Sequence, residues 1–130
     1  IRAGDKITEA ELIKPEKYIE SLKKHSDIKD IFISTDDYSV VEKLKNQYGS
    51  KYNIYTLTNK KELGYNQYDF EMSNKKEKYN HLIEFFASIE ILLNSKLCFG
   101  SYTSNPSIFL GAVLGKEKFI EVNSLDFRIL

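Results

Sequence analysis

The sequence predicts a three-layer α/β domain in which a five-stranded parallel sheet carries helices on both faces. Short apolar runs rich in β-branched and aromatic residues alternate with longer segments of helical period, which is the pattern of βαβ units. No internal repeat interrupts that alternation. The 130 residues fit one domain with a sizeable core and are short for a complete two-domain enzyme.

Ile1 and Arg2 close the first expected strand. Pro15 suits the first residue of a helix running to about His25, with Tyr18, Ile19 and Leu22 as its apolar stripe. Residues 30–34 read as a buried second strand. Asp37 caps the next helix, which sets Val40, Val41, Leu44 and Tyr48 on one face and stops at Gly49. A third strand covers 53–57. The stretch 58–77 is rich in Asn, Lys and Tyr, has no clear period and reads as a mobile or partner-facing loop. From Tyr79 to Asn94 apolar residues surround much of a long helix, which predicts that it is largely buried. The fourth strand is 97–99, a helix opens at Asn105-Pro106 and runs to about Leu114, and the fifth strand is 119–122. Right-handed crossovers assemble these elements into one sheet.

Composition narrows the function. The chain is 42% hydrophobic and 29% charged, too apolar for a disordered segment. Nineteen basic residues balance nineteen acidic ones, so no global field favours nucleic acid or an anionic membrane, and any bound anion must be held locally. One cysteine, Cys98, lies in an apolar run and reads as a core thiol, which excludes a disulfide framework. No uninterrupted apolar stretch reaches the roughly 18 residues of a membrane span, and no signal-like segment opens the chain. A start at Ile1, without methionine, reads as a cut within a longer protein and leaves the compartment open: cytoplasmic for a bacterial or viral source, Golgi lumen for a eukaryotic one.

In an open parallel sheet ligands bind beyond the carboxyl ends of the strands. The chemically unusual residues fall there: Arg2-Ala-Gly-Asp-Lys6, Ser34-Thr-Asp-Asp37, Gly100-Ser-Tyr-Thr-Ser-Asn105 and Asn123-Ser-Leu-Asp126. Ser101, Thr103, Ser104 and Asn105 put hydroxyls and a helix amino end where a phosphate can be surrounded. The same residues also read as a plain Asn cap with Pro in the first turn. Arg2 can grip a diphosphate through two donors, and Lys6 adds a second cation; alternatively both are solvated surface charges. For Asp36 and Asp37, paired acid–base carboxylates, metal ligands, or a loop-ordering residue beside a helix cap are the three readings. With few other ligands to place nearby, the third is favoured and no metal is expected. His25 and His81 have no nucleophile partner in the pattern and read as surface or core histidines.

Taken together, these motifs resemble the α1,6-fucosyltransferases of glycosyltransferase family 23. Ile1-Arg-Ala-Gly-Asp-Lys6 with Thr8-Glu9 is similar to that family's Val-Arg-Arg-Thr-Asp-Lys…Thr-Glu stretch, and Phe32-Ile-Ser-Thr-Asp-Asp37 to its second motif. Tyr102-Thr-Ser-Asn105 looks like its Phe-Ser-Ser-Gln, and Asn123-Ser-Leu-Asp126 like its closing His-Ser-Leu-Asp. Four matches in order span nearly the whole chain. The resemblance implies the Rossmann-like, C-terminal half of a GT-B enzyme that holds GDP-fucose and transfers fucose with inversion to a glycan hydroxyl, without a metal or other cofactor and with the help of an N-terminal half. It assigns the β-phosphate to Arg2, the phosphate lining to Ser101, Thr103, Ser104 and Asn105, and ordering of the site to Asp36 beside Asp37. Glu9, whose match requires a one-residue gap, or Glu11 is the candidate base, and Lys6 with Arg2 stabilises the leaving diphosphate.

Departures from the family pattern are specific. Its second arginine is Ala3 here, an aspartate that contacts guanine falls on Ser88, and an arginine after the third motif is Ile108. These changes keep a second expectation open, a catalytically inactive module that binds sugars or partners through Tyr65, Tyr68 and Phe70. A phospho-accepting receiver domain ranks below both, because the end of the third strand offers Thr56-Leu-Thr58 in place of an aspartate.

Overall fold

The computed structural model describes Ile1 and residues 13–122. In chain order the elements are α1 (Pro15–Leu22), β1 (Asp30–Phe32), α2 (Tyr38–Tyr48), β2 (Asn53–Tyr55), α3 (Gln67–Met72), α4 (Lys75–Leu93), β3 (Cys98–Gly100), α5 (Asn105–Lys118) and β4 (Phe119–Glu121). The four strands are those expected second to fifth. Among the described residues they form two parallel pairs, β1 with β2 and β3 with β4, each joined through a crossover helix, α2 and α5. The expected first strand, at Ile1 and Arg2, falls at the border of the described residues.

Helix α2 follows its sequence closely. The Asp37 side chain accepts the amide of Ser39 at 2.8 Å, and Gly49 ends the helix by donating to Lys45 O at 2.8 Å. Val40, Val41 and Leu44 all face inward, onto Ile19 and Leu22 of α1, Ile33 and Tyr52. A second cluster, Cys98, Leu110 and Phe119, joins β3, α5 and β4, with Ile89, Leu92 and Leu93 of α4 against it. Phe99, although it belongs to β3, packs on the first cluster and meets the His25 ring edge to face at 5.9 Å.

Two expectations change. The stretch 58–77 is not a loop throughout: Asn66 caps the short α3 by accepting from the amides of Tyr68 and Asp69, and α4 starts at Lys75, a turn before the apolar period does. A reciprocal box holds that polar first turn, with Asn74 accepting from Glu77 N at 2.9 Å and Glu77 accepting from Asn74 N at 3.1 Å. Nor is α4 largely buried. Only Ser88 is buried, whereas Leu82, Ile83, Phe86 and Ile91 are exposed. The described residues cover the helix where it meets α5 and, near its start, where His81 meets Tyr65 and Phe70. Its apolar circumference therefore exceeds the cover that the described residues provide, and the exposed side is a candidate contact surface.

Two glycines are structurally required. Gly115 has φ of 70° and breaks α5 ahead of β4, a conformation that side chains disfavour. At Gly100 a Cβ would sit 2.6 Å from the Phe119 ring, so only glycine lets that ring close over the end of β3.

Leu44 is wholly enclosed. Leu44→Ala should cost about 2–5 kcal/mol, read as a lower denaturant midpoint at unchanged slope; a loss under about 0.5 kcal/mol would mean that the first cluster is not close-packed. Burial pushes the Cys98 thiol up to about 11, the Ile1 ammonium pulling weakly the other way. At pH 8 roughly one thiol in a thousand is then ionised. Native protein should therefore resist iodoacetamide while urea-unfolded protein reacts readily, and equal rates would place Cys98 at the surface.

Candidate functional site

Between β1 and β3 the molecule opens into a cleft of about 730 Å³, within the range of small-molecule sites. Its interior is apolar, and its rim at the carboxyl ends of the strands is polar. Asp36 reaches it from the end of β1, while Ser101, Thr103 and Ser104 reach it from the β3–α5 loop, and Ser88 from α4. Five of the donor-site candidates thus share one opening. Asp37 does not line it, being committed to the α2 cap, and Asn105 is an exposed first residue of α5. Arg2, Lys6, Glu9 and Glu11, with residues 123–126, lie outside the described residues.

Local bonds shape the β3–α5 loop. Ser101, fully buried, has its hydroxyl 3.1 Å from that of Thr103 and accepts the Thr103 amide at 3.4 Å. The Tyr102 amide donates to the Glu121 carboxylate at 3.1 Å, tying the loop to β4. Ser104, not Asn105, is the N-cap of α5: its hydroxyl accepts from Ser107 N at 3.4 Å, with Pro106 in the first turn. Asn105 is instead the first residue of the helix, ahead of Pro106. The result places the Thr103 and Ser104 hydroxyls at the positive end of the α5 dipole.

Asp36 orders the opposite wall. Its carboxylate accepts the Tyr65 amide at 3.2 Å and its carbonyl accepts the Gly64 amide at 2.8 Å, so residues 64 and 65 are pinned over the cleft. That brings in residues the sequence did not single out as a site. His81 stacks on Tyr65, ring centroids 5.8 Å apart, and tilts on Phe70 at 5.3 Å, with Glu62 and Glu84 beside it on the cleft wall. Tyr65 and Phe70 had been marked only as a binding surface, and Tyr68 points outward. The available signal was His81, Glu84 and Ser88 at spacings of three and four, one face of α4.

The electrostatics of the two ends differ. At the amino ends of the strands Lys29 and Lys96 line the cleft, Lys96 paired with Asp27. At the carboxyl end, Asp36, Glu62 and Glu84 make the described wall acidic. The cations that the sequence assigns to this end, Arg2 and Lys6, are among the residues not described. No cluster of three or more metal-ligating side chains occurs among the described residues.

Comparison with protein-family models, with curated proteins and with solved structures finds no match to this chain.

Burial raises the pKa of Glu62; Glu84 adds to the rise, while the Asn59 amide and His81 oppose it. A carboxyl whose folded pKa lies above its unfolded value favours the fold while protonated. Glu62 therefore withdraws stability as pH rises from the ordinary carboxylate range through the raised value. Glu62→Gln should raise the melting temperature at pH 7 and lose that advantage by pH 4. An equal gain at both pH values would remove the charge as the cause.

Proposed function

We propose that this chain is the nucleotide-sugar-binding half of a fucosyltransferase-type glycosyltransferase. In this reading it holds GDP-fucose or a related nucleotide sugar for inverting, metal-independent transfer to a glycan hydroxyl. The observation that carries the reading is the convergence of Asp36, Ser88, Ser101, Thr103 and Ser104 on one cleft at the carboxyl ends of parallel strands. The amino end of α5 supplies the favourable end of a helix dipole for a diphosphate, with the Thr103 and Ser104 hydroxyls beside it. Arg2 completes the grip by bidentate contact, and Lys6 neutralises charge as the diphosphate departs. Glu9 takes the proton of the acceptor hydroxyl as the bond to the sugar forms. The enzyme's N-terminal half supplies the acceptor side, and the exposed apolar residues of α4 are a surface against which another domain can pack.

An acidic rim makes the assignment of Arg2 testable. Without a cation, a diphosphate beside Asp36, Glu62 and Glu84 is repelled, so affinity should depend steeply on Arg2. Titration calorimetry with GDP, GDP-fucose, GDP-mannose and UDP should give binding of the guanosine ligands over UDP. Arg2→Ala should then weaken it about 10- to 100-fold, the value of a charged hydrogen-bonded contact. Ser104→Ala should weaken it less and also lower the melting temperature, since it removes a helix cap of about 1 kcal/mol. Binding that ignores Arg2, or that does not distinguish GDP from UDP, would overturn the reading. The stacked Tyr65–His81 pair favours one alternative, a sugar-binding module without transfer; binding of a fucosylated glycan with no binding of GDP is its signature.

A further inference from the structure

We propose that the exposed side of α4 is a self-association face, on which two copies of this chain pair antiparallel about a two-fold axis at Ile83. The inference rests on the spacing and charge of one helix and stands apart from the reading of the polar rim.

Spacing marks a single seam. Lys76, Tyr79, Ile83, Phe86 and Glu90 follow one another at three, four, three and four residues, the repeat of a helix that meets another along its length. At about 100° per residue these five positions share an arc of roughly 80°. All are exposed, Tyr79 at 64% and Phe86 at 63%, the highest values on α4 among its apolar residues. His81, Glu84 and Ser88, which line the cleft, lie on the other side of the helix. The seam therefore faces away from the cleft, and a partner seated on it leaves the rim open.

Charge decides the occupant. The seam is basic at its start and acidic at its end, with Lys76 and Glu90 each seven residues from Ile83. Among the described residues neither makes an ion pair; the Glu90 carboxylate accepts from Asn94 Nδ2 at 3.0 Å, within its own helix end. Both charges also run against the dipole of α4, which favours acids in the first turn and bases in the last. A partner that answers them has to be acidic opposite Lys76 and basic opposite Glu90, at the same separation. A second α4, antiparallel and centred on Ile83, meets that requirement. It sets Lys76 of each copy against Glu90 of the other, Tyr79 beside Phe86, and Ile83 against itself. The face is its own complement, as an isologous two-fold contact requires. A parallel pair is disfavoured, because like charges then meet at both ends. With three apolar positions on each helix, the contact belongs to the small, transient class of interfaces, so monomer and dimer should exchange.

The test is sedimentation velocity of the full chain at low salt, over concentrations from about 1 to 500 μM, the range of a weak complex. The chain should pass from monomer to dimer. Ile83→Glu sets two carboxylates against each other on the axis and should weaken the dimer about 10-fold or more. Because the side chain is exposed, the melting temperature of dilute, monomeric protein should hardly move. Lys76→Glu alone and Glu90→Lys alone each create two like-charge pairs and should weaken self-association about 5- to 10-fold. Both substitutions suit the helix dipole better than the native residues, so neither acts by melting α4. Mixed in equal amounts, these two variants should associate again, since the mixed pair has an acid opposite a base at both ends. A chain that stays monomeric throughout the range would overturn the proposal and leave the face to another domain or segment. So would a dimer indifferent to Ile83→Glu, which uses another surface, or one that mixing does not restore, which lacks the antiparallel register.

Discussion

The parallel pairing of β1 with β2 and of β3 with β4 is the constraint from which the rest of the molecule follows. Parallel neighbours cannot be joined by a tight turn, so each pair requires a crossover helix, and α2 and α5 supply them. The crossovers place both helix starts at the same end as the strand carboxyl termini. That is why Asp37 caps α2 and Ser104 caps α5 on the side where the polar loops gather. The rim of the cleft is a by-product of chain direction before it is a property of any one side chain.

Much of this was legible in the sequence because it depended on local rules. Four of the five expected strands occur within a residue or two of their predicted positions, and α2 runs from its Asp37 cap to Gly49, because β-branched runs and caps act over a few residues. The start of α4 was harder. Lys75 to Lys78 carries no apolar period, and only the Asn74–Glu77 box announces a helix there. Exposure of α4 was not legible at all, since apolar residues around a helix report what it could bury and not what is present to cover it.

The candidate site divides in the same way. Residues that follow a strand directly, Asp36 and the 101–104 loop, could be placed at the rim from topology alone. Glu62, Tyr65 and His81 could not. They arrive through the Asp36 bonds to residues 64 and 65, a long-range contact between segments with no shared periodicity. Asp36 is therefore more than a loop-ordering residue of its own strand, because its backbone and side chain together hold an aromatic wall that belongs to a different part of the chain. Among the described residues the charged side chains of this wall, Asp36, Glu62 and Glu84, are all acidic.

The packing of Phe99, a β3 residue, on the first cluster has a kinetic consequence. Each strand pair closes a loop of roughly twenty residues around its own small cluster, so either βαβ unit can form from contacts close in sequence. Joining them is a different event, because it brings Phe99 onto a cluster whose members lie far earlier in the chain. The seam between the two pairs is thus the last part of the molecule to consolidate and the first to part. Residues of the candidate site sit on both of its sides, so a ligand bound at the rim would act as a clasp across it.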